Sequence, residues 1–186
     1  MGTTPWFKLR AELKSSDLLV DAFSRIPDLV HDVIDGLAPE QLTARLDNEA
    51  NSIAWLVWHL SRIEDDHVAE VAGRAQVWMA NGWARRWGLP FDSADTGYGH
   101  GAREVAAVTG DSDLLLGYFD DVHEMTTQFV RGLADHDLDR IVDERWDPPV
   151  TLGVRLVSVA GHNFEQAAQA AYVRGILERK EPPRAP

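Results

Sequence analysis

Residues 51–73, NSIAWLVWHLSRIEDDHVAEVAG, decide the fold class. Ile53, Leu56, Val57, Leu60 and Ile63 recur at spacings of three and four, the period of one buried helix face. Asn51 or Ser52 offers a side-chain oxygen to the first unpaired amides, and Gly73 supplies a left-handed stop. The spacing therefore predicts a helix of about 20 residues over this stretch.

Three further segments carry the same period. From Ser16 to Leu37, residues Leu19, Phe23, Ile26, Val30, Val33 and Ile34 predict the first helix, with Gly36 and Pro39 as stop signals. Pro27 falls inside it and predicts a kink or break, because proline lacks the amide donor and clashes with the preceding turn. A third helix opens at Asp111 or Ser112, turns Leu115, Phe119, Val122, Thr126, Phe129 and Val130 inward, and closes at Asp135 and His136. A fourth runs from about Val154 to Glu178, and the tail 181–186, EPPRAP, frays.

Between the second and third helices, Arg74 to Gly110 has no sustained period and predicts one short helix near Ala75 to Ala80. Its Trp78, Trp83, Trp87, Phe91 and Tyr98 argue for a packed excursion, since such aromatics are seldom left in disordered chain. A second irregular connection, 137–153, is extended by Pro148 and Pro149. No segment alternates with period two over a strand's length, and no internal repeat is present. The expected architecture is all-α, a four-helix bundle with long connections after helices two and three that can cross the ends of the bundle.

At 186 residues, with 45% hydrophobic and 26% charged side chains, the chain suits a single domain over 1–186 with its core at about 15–178. Thirty acidic against 18 basic residues give a net charge of −12, which repels phosphate backbones and anionic lipid, so neither nucleic acid nor membrane is an expected partner. No apolar run suits a signal peptide or a membrane span, and the expectation is a soluble cytoplasmic protein. With no cysteine and no Gly-x-Ser-x-Gly elbow, the chain has neither a thiol nucleophile of its own nor a hydrolase serine turn; thiol chemistry would need a thiol cofactor.

Candidate chemistry lies on helices two and four. Arg155, Ser158, His162, Glu165, Gln166 and Gln169 form a polar stripe opposite Val154, Val157, Phe164, Ala168, Ala171 and Tyr172. The stripe either faces water or lines a semi-buried polar site; its lack of lysine and single acid favour the second in so acidic a chain. His59 sits beside the buried stripe of helix two, as a satisfied core histidine or as a ligand. His162 and Gln166, four residues apart, can converge on one ion, and facing helices of a bundle assemble metal sites from such pairs. Glu64 and Glu165 are candidate general bases. His67 lies two turns from His59, and His100 closes the turn TGYGHG, where it either caps the turn or places a polar group over the mouth of the bundle. His31, His123 and His136 lie beside charged residues, as on a solvated face.

Residues 51–73, the words QVW and GWARRWGLPFDSADTGYGHG, and WDPPVTLGVRLVSVAGHNFEQAAQAAYVRG together resemble the DinB-like superfamily. They are most similar to its actinobacterial branch of mycothiol-dependent enzymes and relatives of unassigned function. The resemblance implies an up-down-down-up four-helix bundle, often a homodimer. It also implies a divalent metal, zinc or nickel, held by His59 of helix two and by His162 and Gln166 of helix four, with Gln166 standing where the family usually has histidine. It further implies a low-molecular-weight thiol such as mycothiol, activated as thiolate toward an electrophile, with Glu165 in a catalytic or ligand-substituting role and Trp83 and Tyr98 around the thiol as a lid. Because the third imidazole is missing, a metal-free binding protein on the same scaffold is the competing expectation.

Overall fold

A computed structural model of the chain describes residues 13–180. The helices are α1 (Ser15–Ser24), α2 (Ile26–Ile34), α3 (Pro39–Thr43), α4 (Ile53–Ala72), α5 (Val77–Ala80), α6 (Trp83–Trp87), α7 (Ala102–Ala107), α8 (Ser112–Arg131) and α9 (Leu152–Lys180). The strands are β1 (Ile141–Asp143) and β2 (Val150–Thr151). The structure is mostly helical, as the periodicity predicts. The tail 181–186 lies outside the described residues.

The first expected helix is two, α1 and α2, separated at Arg25. Pro27 falls in the first turn of α2, where a missing amide donor leaves no carbonyl unpaired. On α4, Ser52 Oγ accepts from Trp55 N at 3.1 Å and Gly73 closes the helix at φ 63°, both as expected. α8 begins after the Asp111 cap but ends at Arg131; Asp135 and His136 lie in a separate 3-10 turn rather than in the last turn of the helix.

α4 is the central element. It packs against α9 and α8, while α2 packs on α9 and α1 on α8. Sixteen of its 20 residues are buried, more than a one-sided stripe would bury, because the excursion after Gly73 covers its outer side. A buried polar cluster fastens that cover. The Asp65 carboxylate accepts from Val77 N at 2.8 Å, Trp78 N at 2.7 Å and Tyr118 Oη at 2.9 Å. Arg62 donates to Gln76 Oε1, Tyr118 Oη and the Asp95 carbonyl. The excursion holds three short helices, α5, α6 and α7, where the sequence predicts only the first.

Two further expectations are corrected. The connection before α9 contains the antiparallel pair β1–β2, joining Ile141 to Thr151 and Asp143 to Val150; strands of three and two residues are too short to show a period of two. On α9 the inward side is Leu152, Leu156, Val159, Ala160, Asn163, Ala167, Ala170 and Val173. Val154, Val157 and Tyr172, expected to pack opposite the polar stripe, are exposed. The polar stripe instead flanks the buried arc: Arg155, His162 and Gln166 are half-buried, whereas Ser158, Glu165 and Gln169 are exposed. Among the described residues, no helix is long and apolar enough to cross a membrane.

Candidate active site

α4 and α9 bring His59 and His162 together, with ring centroids 4.9 Å apart and planes at 81°. His59 is buried, and its Nδ1 donates to the Thr96 carbonyl at 2.6 Å. A carbonyl can only accept, so the proton is on Nδ1 and Nε2 carries the lone pair. Burial lowers the His59 pKa to about 4; the Thr96 bond opposes this, and His162 and His100 add to it. Burial also lowers the His162 pKa, with His67 adding to it. Both rings are neutral near pH 7 and have acceptor nitrogens to offer.

The excursion builds the support for this pair. Trp55 stacks on the His59 ring at 4.6 Å between centroids and donates its Nε1 to His100 Nδ1 at 3.0 Å. Gly97, at φ 95°, lets the loop carrying Thr96 approach closely: a Cβ there would stand 2.7 Å from His59 Nδ1. The Asp95 carboxylate holds that turn by accepting from Gly97 N at 2.8 Å. Hydrogen bonds of this kind orient metal-ligating imidazoles and raise their basicity.

One helical turn beyond His162, Gln166 places Oε1 in a buried position without a hydrogen-bond partner, and His162 Nε2 is likewise buried and unpartnered. Such orphaned buried polar atoms are rare in interiors and call for a reason. With His59 Nε2 on the facing helix, the donor types are two imidazole nitrogens and an amide oxygen, whose chemistry suits a divalent ion of the zinc or nickel class. No group of three or more His, Asp or Glu side chains suited to a metal occurs among the described residues, so an amide would have to complete the set.

The other expected residues are distributed differently. Glu165 is exposed on α9. Glu64 is fully buried, accepts from Asn163 Nδ2, and has Oε1 4.0 Å from His123 Nδ1 of α8. Burial raises its pKa to about 7, partly offset by bonds from Thr126 and Asn163. Trp83 is buried on the bare backbone of Gly117, with Nε1 donating to Asp121 at 2.8 Å. Tyr98, 85% exposed, stands at the rim of a cavity of about 510 Å³ that also borders His162 and Ile63. The structure thus brings His59 and His162 together and sets Tyr98 at the cavity that borders His162, while Trp83 packs elsewhere.

That cavity has walls the sequence did not single out. Asp143 and Arg145 arrive from β1 and the turn after it, with Trp146; Arg155 reaches in from α9. Arg145 donates Nε and Nη2 to Asp143 at 2.9 and 2.8 Å, Arg155 Nη2 lies 3.3 Å from the same carboxylate, and Arg155 Nη1 donates to His67 Nδ1 at 2.8 Å. The bonds from Arg145 hold the Asp143 carboxyl well below the usual range, and Arg155 adds to this. In the sequence, only Arg155 on the polar stripe and His67 two turns from His59 pointed toward this group.

The model of the DinB superfamily matches residues 22–170. A solved structure described as a conserved protein of locus from Enterococcus faecalis superposes with a TM-score of 0.85 at 22% identity, over 91% of this chain and 100% of that one. At that identity the likeness concerns the fold alone. No curated protein matches the chain. From the family match over most of its length, the chain belongs to the DinB superfamily.

Proposed function

We propose that this protein is a metal-dependent thiol S-transferase or related detoxification enzyme. In this reading α1–α2, α4, α8 and α9 form the up-down-down-up four-helix bundle, and the chain sits in the mycothiol-using actinobacterial branch. One observation carries it: His162 Nε2 and Gln166 Oε1, one turn apart on α9, are buried without partners, His162 meets the ring of His59, whose free nitrogen is selected by the Thr96 carbonyl, and a cavity borders His162.

His59, His162 and Gln166 would hold a zinc or nickel ion. Bound there, the ion supplies Lewis acidity that favours the thiolate form of a thiol at neutral pH. The chain's own part is positional: Thr96 keeps His59 in one tautomer, Trp55 fixes its ring plane, and Ile63 and Tyr98 bound the space in which thiol and electrophile meet. Glu165, exposed on α9, is placed to exchange protons with solvent. The exposed Val157 and Tyr172 on the outer side of α9 suit a homodimer contact. The reading assigns the protein to the cytoplasm, where a low-molecular-weight thiol stays reduced.

The test is metal content per chain on untagged, dialysed protein, with zinc and nickel added back, for wild type and His59→Ala. Near-stoichiometric metal in wild type, lost in the variant, supports the reading, and thiol-dependent consumption of an electrophile should fall with it. No uptake in wild type, even after add-back, would favour the second reading, a metal-free binding protein; the neutral amide of Gln166 in place of an imidazole is the observation on its side.

A further inference from the structure

We infer that the cavity beside His162 binds a carboxylate-bearing aromatic or otherwise planar substrate, its carboxylate held by Arg145 and Arg155 and its ring set against Trp146 and Tyr98. In a chain with 30 acidic and only 18 basic residues, two guanidiniums bordering one cavity is a concentration of positive charge against the overall trend. Asp143 orients both, but it brings one negative charge to two positive ones. Glu70, 3.7 Å from Arg155, brings a second negative charge, but it stands outside the residues that border the cavity.

The hydrogen-bond inventory leaves donors over. Arg145 spends Nε and Nη2 on Asp143, and Arg155 spends Nη1 on His67 and Nη2 on Asp143. Neither Arg145 Nη1 nor Arg155 Nε takes part in these bonds. Because His67 accepts at Nδ1, it is the neutral tautomer with its proton on Nε2, which adds a third donor to the same wall. Guanidiniums presented as planar forks suit carboxylates.

The aromatic pair points the same way. Trp146 is 66% exposed and Tyr98 85% exposed, and they come from different connections to the rim of one cavity. Large aromatics left in water at a cavity mouth, above placed polar groups, are the composition of a ligand site. The inference rests on the proposed thiol chemistry only in making this ligand the electrophilic substrate; carboxylate binding itself needs no metal.

Titration of chelator-treated protein with benzoate and with benzamide, followed by NMR, tests it. Benzoate is expected to bind about tenfold more tightly than benzamide, Arg145→Met to remove most of that preference, and Trp146→Ala to weaken both ligands. The Arg145 side chain is 84% exposed, so its replacement opens no core cavity, and an unchanged helical circular dichroism spectrum checks that Asp143 still holds β1 in place. Equal binding of the two probes, no binding of either, or a preference unchanged in Arg145→Met overturns the inference. Benzoate preference in a protein that takes up no metal would keep the subsite and remove the thiol-transferase reading; metal uptake without benzoate preference would do the reverse.

Discussion

His59 of α4 and His162 of α9 meet edge to face, 4.9 Å between ring centroids, with Gln166 one turn along α9 from His162. Replacing Gln166 by histidine restores a third imidazole on a face where the amide oxygen is already buried and unpartnered. Zinc affinity of Gln166→His, measured by competition with a chromophoric chelator, should rise by at least about tenfold. An unchanged affinity would mean that position 166 does not reach the ion.

Gly97 connects the excursion to the same pair. An alanine Cβ there would lie 2.7 Å from His59 Nδ1 and 3.0 Å from the Trp58 ring, on a backbone at φ 95° that L side chains rarely adopt. Gly97→Ala should push the loop away, break the bond from His59 to Thr96, and free the ring to change tautomer. Metal affinity is expected to fall roughly 10–100-fold, the usual cost of losing an orienting hydrogen bond, with the helical circular dichroism unchanged. Retained affinity would show that the loop does not set the ligand.

How far this was legible follows from the range of the forces involved. α4 could be read because its signals are local: the Ser52 cap, the Gly73 stop and the apolar residues from Ile53 to Ile63 all lie within the helix or next to it. The histidines could be read as candidates from their positions on two helices. Their support could not, since Thr96 reaches His59 across 37 residues of chain, through a turn that nothing in its own sequence aims at that ring. The inward arc of α9 was likewise hidden, because the polar residues Arg155, His162 and Gln166 flank it while Val154 and Val157 are left to water. Trp83 and Tyr98 looked alike in a stretch without period. Only the gap above Gly117, which admits the Trp83 ring, separates the buried one from the exposed one.

Asp65 offers a test of the excursion's anchor. Its carboxylate accepts from Val77 N, Trp78 N and Tyr118 Oη and lies 3.6 Å from the fully buried Arg62. Asp65→Asn leaves that guanidinium without its charge partner and puts an amide N–H against two backbone donors. The expected loss is about 3–5 kcal/mol in urea unfolding, with the loop's tryptophan fluorescence changing before the global transition. A loss under about 1 kcal/mol would mean the excursion is held by its apolar contacts alone.

Glu64 sets the pH dependence. It is fully buried among His123, Thr126 and Asn163, with no cation in hydrogen-bonding contact, and its pKa is raised from 4.5 to about 7, burial being the main cause. The folded protein therefore holds a proton that the unfolded chain releases above about pH 4.5. The stability this contributes is complete below that pH and is lost as the pH rises through about 7. In Glu64→Gln the side chain is neutral at every pH, and its oxygen can still accept from Asn163 Nδ2, so this slope should vanish. Urea unfolding is expected to give nearly equal stability for the two proteins at pH 4, below the unfolded-state pKa. At pH 8 the variant should be the more stable, by up to about 3 kcal/mol, the limit set by a shift of this size. A variant with the same pH slope as the wild type would show that Glu64 is ionised in the folded state across the whole range, with a compensating positive charge drawn in beside it.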